Sequence, residues 1–153
     1  MFHLFDDDPI FYNYGYPSLT VTGTVSGLVN RLSNYAVITL NIWMPHTYSG
    51  DCVVTLTSPS GTTIYITNRR GGKNDDVFDG TYFTDSATYS VKTYSFNSNG
   101  VVSPLKPESP FSTFRGENPN GDWITNFYDM ASGSDNGKVN EVVFVFQGFL
   151  SFF

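Results

Sequence analysis

The most constraining feature of this sequence is a strict alternation of residue character in its first half. Within residues 19–25, threonine occupies every second position, and apolar residues or glycine occupy the positions between. Residues 36–44 repeat the pattern with apolar side chains at alternate positions. A period of two places successive side chains on opposite faces of a strand. We therefore predict two strands here, each with one buried face.

A hairpin is predicted next. Residues 52–57 and 62–67 are rich in β-branched side chains, which are typical of strands, and they flank the tetrapeptide 58–61, which contains Pro59 and Gly61. Proline restricts φ and glycine adopts positive φ, so this tetrapeptide favours a tight turn. Residues 68–80 are polar and rich in glycine and charge, and we predict a surface loop there.

Later segments continue the β pattern. Residues 89–96, 123–128 and 139–149 are predicted strands, separated by segments rich in proline, glycine and asparagine. No window of 11 residues keeps a helical apolar spacing free of glycine, proline or β-branched clusters. The predicted fold class is all-β, a jelly-roll-like antiparallel β-sandwich.

The length of 153 residues suits one domain with one core. We divide it into an aromatic N-terminal tail (1–17), the sandwich (18–148) and an aromatic C-terminal tail (149–153). With Cys52 alone, no internal disulfide can form.

Charge limits the partners. A net charge of −6 argues against nucleic acid, whose binding depends on clustered lysine and arginine, but suits a hard cation such as Ca²⁺. The longest apolar stretch, 142–153, is shorter than the ~20 residues that a spanning helix needs, so we expect no membrane insertion. No signal peptide is visible in this chain.

Six short motifs follow one another along the chain: HTYSGD at 46–51, VTLTSPSGT at 54–62, RRGG at 69–72, FTDSA at 83–87, GENPNGDW at 116–123 and GKV at 137–139. As an ordered set they resemble the P domain (P/Homo B domain) of kexin- and furin-like proprotein convertases and related bacterial proteases. The resemblance covers about 19–147. It departs at Cys52, Thr84 and 126–128, where the family usually has leucine, aspartate and a more aliphatic strand.

The resemblance implies a jelly-roll-like β-sandwich that packs beside a subtilisin-like catalytic domain and assists its folding rather than cutting peptide bonds. A subtilisin-like unit is larger than this chain, so the implied role is that of a separated module or an excised fragment. Structural roles are implied for residues of the motifs, namely His46, Gly50, Asp51, Pro59, Gly61, Gly116, Gly121 and Trp123.

The histidines argue against catalysis. A Ser-His-Asp triad needs a histidine to carry the proton, and the chain has only His3, in the N-terminal tail, and His46, in a turn motif. We predict no enzyme. His46 is interpreted as a turn residue that bonds the connection between strands, with an exposed proton switch as the alternative. Asp51 is interpreted as a turn cap, with a Ca²⁺ ligand as the alternative.

A cluster of acidic residues is the candidate metal site: Asp75, Asp76, Asp79 and Asp85. Carboxylates close together repel one another, and a Ca²⁺ ion would relieve the repulsion. The EF-hand register fails, because Val77 and Ser86 fall where ligands are required. The alternative is that these carboxylates are solvated or paired with Arg69 and Arg70.

Both tails carry aromatic residues, and these are the candidate protein-binding residues: Phe2, Phe5, Phe11, Tyr12, Tyr14, Phe149, Phe152 and Phe153. They either lie back on the sandwich and extend its core or dock on other subunits, including copies of this chain.

Three functions remain open, of which the first is the preferred interpretation and the other two are alternatives. The first is a non-catalytic subunit or decoration of a larger assembly, on a virion or in an extracellular structure. The second is the ancillary domain of a subtilisin-like serine endoprotease. The third is a Ca²⁺-dependent glycan binder that stacks sugars on Trp43, Trp123 or loop tyrosines.

Overall fold

The computed structural model describes residues 2–5, 10–11, 18–33, 37–131 and 136–147. The strands in this part of the chain are β1 (Phe2–Phe5), β2 (Ile10–Phe11), β3 (Ser18–Val25), β4 (Val37–Met44), β5 (Cys52–Thr57), β6 (Thr63–Asn68), β7 (Phe78–Thr84), β8 (Gly121–Asp129), β9 (Gly137–Lys138) and β10 (Glu141–Gln147). Two short 3-10 helices span Ser49–Asp51 and Phe111–Phe114. Among the described residues, no helix is long and apolar enough to cross a membrane.

Two four-stranded antiparallel sheets form the body of the molecule. Sheet I has the order β1-β10-β4-β7 and sheet II the order β3-β8-β5-β6, while β2 pairs with β9. When the two-residue strands β2 and β9 are set aside and the others are numbered along the chain, the sheets read 1-8-3-6 and 2-7-4-5. This is the strand order of a jelly roll, and the predicted all-β sandwich is confirmed.

The alternation in the sequence matches the burial of the strands. In β3, Val21 and Val25 are buried while the threonines between them are exposed. In β8, Trp123, Thr125 and Phe127 face the core. The predicted strands 19–25 and 123–128 are therefore confirmed, as is the hairpin of β5 and β6.

Aromatic rings fill the centre of the sandwich. The Trp123 indole lies 5.0 Å from the Phe114 ring, 5.3 Å from Phe144 and 5.2 Å from Phe146, measured between centroids. Rings at these distances and tilted to one another attract through their quadrupoles as well as by burial. Trp123 is thus a core residue that joins the two sheets.

Two local predictions were wrong. Residues 89–96 form a loop instead of a strand, and its aromatic residues pack at the edge of the core, where Phe96 lies 6.0 Å from Phe78. The predicted loop 68–80 ends early, because β7 begins at Phe78. The strand was missed because of Gly80, which lies at a bulge where the register of β7 against β4 shifts; glycine is typical of bulges.

Candidate functional site

The best-defined polar cluster surrounds His46, which lies two residues after β4 and has a buried side chain. Its Nε2 lies 3.1 Å from Oδ2 of Asp129, and its Nδ1 accepts a 3.0 Å hydrogen bond from the backbone N–H of Tyr48. Because Nδ1 accepts a hydrogen bond, the ring N–H is on Nε2, which donates a hydrogen bond to the Asp129 carboxylate. Both nitrogens are engaged inside the fold, so the imidazole has no free lone pair to act as a base.

The His46 ring lies directly against the backbone of β9. His46 and Gly137 form an antiparallel bridge, and a Cβ added at 137 would lie 2.9 Å from Cγ of the imidazole and closer still to Cδ2. Real Cβ atoms do not approach that closely, so the contact requires glycine at this position. The imidazole ring is therefore held both by the hydrogen bonds of its two nitrogens and by its packing against the Gly137 backbone.

A cavity of about 260 Å³ opens beside this cluster. It is lined by Pro45, His46, Thr47, Asp76, Asn136, Gly137 and Lys138. Asp76 is committed to the turn, because its Oδ1 accepts the His46 N–H at 3.0 Å and its own N–H donates to the His46 carbonyl at 2.9 Å. This predicted metal ligand therefore also caps the histidine turn.

The other members of the acidic cluster lie in different settings. Asp85 accepts the backbone N–H groups of Phe111 and Ser112, at 2.8 and 3.0 Å, and so caps the second 3-10 helix. Burial, followed by the charge of Asp76, raises the pKa of Asp79. In the described ranges no three acidic, histidine or cysteine side chains form a group that could hold a metal ion. Calcium binding at Asp75, Asp76, Asp79 and Asp85 stays a prediction.

Two motif loops meet at their backbones. The Gly50 N–H donates to the Gly72 carbonyl at 2.8 Å, and a Cβ on Gly50 would lie 2.7 Å from that oxygen. Nearby, Ser49 bridges to the next loop, since its hydroxyl accepts the Val77 N–H at 3.3 Å. The HTYSGD and RRGG motifs therefore lie against each other, and glycine is needed at their contact.

The arginine pair is engaged with acids outside the predicted cluster. Arg70 makes a bidentate pair with Glu108, with distances of 3.0 Å from Nε and 2.6 Å from Nη2, and this hydrogen bonding raises the pKa of Arg70. Arg69 is 56% exposed and its Nη2 lies 4.0 Å from Oδ1 of Asp51. The ion pairs that the structure describes for these arginines are thus with Asp51 and Glu108, neither of which belongs to the predicted acidic cluster.

The remaining motif residues join the β5–β6 turn to the loop before β8. Gly61 donates its N–H to the Ser58 carbonyl at 2.9 Å, and the Ser58 hydroxyl donates to Glu117 at 2.5 Å. Gly121 packs against Pro59, where an added Cβ would lie 2.9 Å from the ring. At the base of this junction the Gly116 N–H bonds the Leu32 carbonyl at 2.9 Å, and the Trp123 indole N–H donates to the Pro119 carbonyl at 2.8 Å.

Parts of the predicted N-terminal tail pair with the sandwich. Residues 2–5 form β1 at the edge of sheet I, and residues 10–11 pair with β9. The backbones of Phe2, Phe5 and Phe11 are thus part of the β structure. Tyr12, Tyr14, Phe149, Phe152 and Phe153 lie outside the described residues, and their predicted role in binding other subunits stays a prediction.

Two partners were missed at sequence level. Asp129 lies one residue beyond the predicted strand 123–128, and the alternation of buried positions continues onto it. A charge on the buried face needs a partner, which is the signal that would have led to His46. Glu108 carries no comparable signal, because it lies in a proline-rich loop 38 residues from Arg70.

Cys52 is buried beside the histidine cluster. Burial, followed by the charges of Asp129 and Asp51, raises the pKa of its thiol. A thiol with a raised pKa stays protonated at neutral pH and is a poor nucleophile. Its position on β5 opposite Asp129 is therefore one of packing.

Comparisons with known proteins agree with this arrangement of motifs. The family model described as the proprotein convertase P-domain matches residues 35–146. Leupeptin-inactivating enzyme 1 of Streptomyces exfoliatus is 37% identical over 78 residues, which are 51% of this chain and 16% of that enzyme.

Two solved structures are also similar to this chain. They are the serine protease of Aeromonas sobria (TM-score 0.48, 14% identity) and the same protease in complex with its chaperone (TM-score 0.48, 13% identity). Each similarity covers 90% of this chain and 27% of the other. The chain thus spans about a sixth of its curated relative and about a quarter of these structures.

Proposed function

The chain belongs to the proprotein convertase P-domain family, and on this premise we propose that it is a non-catalytic accessory domain that folds with and stabilises a subtilisin-like serine endoprotease. The family match over 35–146 is the observation that carries the proposal. The curated relative adds support, because the similar stretch makes up only 16% of a larger enzyme.

The geometry of the polar groups supports a role without catalysis. The His46 imidazole is 1% exposed and both of its nitrogens are bonded within the fold. A general base needs a free lone pair to accept a proton, and the Nδ1 lone pair of this ring is already bonded to the Tyr48 N–H. The Cys52 thiol is buried and its pKa is raised, so it is not activated as a nucleophile.

We assign the docking of the catalytic domain to a tyrosine patch, defined as Tyr82, Tyr89 and Val101, which are 38%, 61% and 51% exposed. Tyr89 and Val101 line a cavity of about 290 Å³. Tyr82 lies on β7, and the segment that follows Val101 runs along the edge of that strand. Exposed tyrosines supply much of the contact energy at protein interfaces, since they bury large areas at a small cost in conformational entropy.

The patch rests on a rigid support. The Tyr89 ring packs edge-on against Tyr94 at 5.6 Å, Tyr94 against Phe96 at 4.9 Å, and Phe96 against the buried Phe78 at 6.0 Å. This chain of rings connects the exposed Tyr89 to the core. A partner that buries Tyr89 would therefore meet a preformed surface and have little side-chain motion to freeze.

The test is to express the protease in its natural reading frame, or together with this chain where the two are encoded separately, and to measure the yield of active enzyme. We expect deletion of this domain to abolish the yield. The double variant Tyr82→Ala/Tyr89→Ala should lower it at least about tenfold, which corresponds to ~1.4 kcal/mol of lost docking energy. Tyr65→Ala is the matched control, because Tyr65 is 45% exposed but lies on sheet II.

Unchanged yield after deletion of the whole domain would overturn the accessory role. Normal yield from the double variant alone would overturn only the docking patch. The family match supports the accessory role more directly than a subunit of a virion or filament, and an extracellular or virion location stays a prediction. Calcium is tested separately: a melting temperature that does not change at millimolar Ca²⁺ would contradict the proposed site.

A further inference from the structure

A groove of about 510 Å³ crosses the outer face of sheet II, away from the tyrosine patch. The residues that line it include Val53, Thr55, Tyr65, Arg69, Asn126 and Tyr128. We call it the β5 groove, because it follows β5 between the neighbouring strands β6 and β8. Its volume lies within the range of small-ligand sites.

The groove has a low floor and two aromatic walls. Val53 and Thr55 of β5 are each only 8% exposed although they lie on the outer face. Tyr65 on β6 pairs with Thr55, and Tyr128 on β8 pairs with Val53, so the two rings rise on opposite sides of β5. The backbones of β6 and β8 are about 10 Å apart, two strand spacings.

Two side chains that can donate hydrogen bonds face the β5 groove. The Thr20 hydroxyl on β3 donates to Oδ1 of Asn126 at 2.7 Å. Since β3 and β5 flank β8 on opposite sides, this bond turns the Asn126 amide nitrogen away from β3 and towards the groove. Arg69 adds a guanidinium that is 56% exposed. Among the described residues that line the groove, it is the only charged one.

Arg69 occupies its position at a backbone cost. Its φ of 55° lies in the left-handed region, which costs a residue with a Cβ about 1 kcal/mol. Glycine would adopt this angle at no such cost. What arginine adds at this position is therefore its side chain, which places a positive charge on a molecule of net charge −6.

The backbone decides what kind of ligand fits. Strand β5 is bonded on both sides, to β6 and to β8, so no main-chain groups on the floor are free to pair with an extended peptide. Recognition must come from ring faces, amides, hydroxyls and the guanidinium. A sugar ring offers C–H faces to tyrosine and hydroxyls to amides, and a uronic acid adds a carboxylate for bidentate pairing with arginine.

We propose that the β5 groove binds an oligosaccharide that carries carboxylate groups, with Tyr65 and Tyr128 against the sugar faces and Arg69 on a carboxylate. This site lies on a different sheet from the tyrosine patch, and its existence does not depend on the accessory role. It replaces the predicted sugar contact at Trp123, which is buried in the core.

The experiment is isothermal titration of the whole chain with oligogalacturonate, oligoalginate and hyaluronan oligosaccharides, with methyl-esterified oligogalacturonate as the uncharged counterpart. We expect binding of at least one acid, and binding of the ester at least about tenfold weaker. Tyr65→Ala and Arg69→Gly should each weaken binding about tenfold. Arg69→Gly should leave the melting temperature unchanged or raise it, because glycine suits the backbone there.

Tyr48→Ala and Arg115→Ala are the matched controls, since both residues are exposed outside the groove. Equal binding by acid and ester, no binding by any of the three acids, or an unchanged affinity in Tyr65→Ala would each overturn the proposal. A hexaglutamate peptide that binds with the same dependence on Tyr65 while the sugars do not would assign the groove to a protein partner instead.

Discussion

Thr67 offers the sharpest test of how this core is built. It lies on β6, is fully buried, and its hydroxyl has no hydrogen-bond partner in the part of the chain that the structure describes. Thr67→Val replaces the hydroxyl with a methyl group of similar size and keeps the β-branch. Because a buried, unbonded hydroxyl costs about 1–3 kcal/mol, we expect the variant to be more stable by about 1–2 kcal/mol.

The matched control is the same change at Thr81, which is also fully buried. The Thr81 hydroxyl lies 2.9 Å from the Val77 carbonyl and 3.0 Å from that of Val102. Thr81→Val removes this donor, and we expect a loss of about 1 kcal/mol. One chemical change should therefore have opposite signs at two buried threonines.

Thermal unfolding followed by circular dichroism would measure both variants. For a chain of this size 1 kcal/mol shifts the melting temperature by about 2–4 °C, so Thr67→Val should melt some 2–8 °C above the wild type. A lower melting temperature for Thr67→Val would refute the reasoning, because the hydroxyl would then have a partner, such as an ordered water. Destabilisation by both variants would have the same meaning.

Three further predictions concern single substitutions at Gly137, Asp79 and Glu108. Gly137→Ala should cost about 3 kcal/mol, because the new Cβ overlaps the fixed His46 ring, and a urea midpoint equal to that of the wild type would contradict this. Burial and a neighbouring charge raise the pKa of Asp79, so its ionised form is penalised in the fold. Asp79→Asn should therefore have a higher melting temperature than the wild type at pH 7, and this difference should disappear as the pH falls below the folded pKa. A difference in melting temperature that widens on acidification would show that folding lowers the pKa of Asp79 instead of raising it. Glu108→Gln should lose about 0.5–1 kcal/mol through the weakened pairing with Arg70, and the loss should shrink at 1 M salt; a salt-independent loss would point to packing instead.

Local pattern was sufficient for strands whose two faces differ in environment. The threonine alternation of β3 records one buried and one open face, and in β8 Trp123, Thr125 and Phe127 are buried at alternate positions. Pattern failed where a loop covers the core edge, since Tyr94 and Phe96 of the segment 89–96 are partly buried without being in a strand. It also failed for β7, whose glycine bulge imitates a loop.

The polar contacts were beyond local pattern for a different reason. His46 and Asp129 are 83 residues apart, and Arg70 and Glu108 are 38 apart. Such pairs exist only once the jelly roll brings distant connections to the same end of the sandwich. The sequence could indicate that a buried carboxylate such as Asp129 needs a partner, but only the topology selects which residue fills that need.

Three motif residues line the β5 groove, namely Thr55, Thr57 and Arg69. The buried motif residues, in contrast, lie apart from the exposed tyrosines of the proposed binding surfaces, and this separation has a physical basis. Close backbone contacts, as at Gly50 and Gly137, and buried polar bonds, as at His46, restrict a position to one residue type, so ordered motifs arise at loops that are held by packing. Exposed faces are free of that restriction. Tyr65 and Tyr89 lie on such faces, where a partner rather than the fold decides the side chain. The motifs therefore identify the scaffold, and variation in function within this fold should be sought on the outer faces of its sheets.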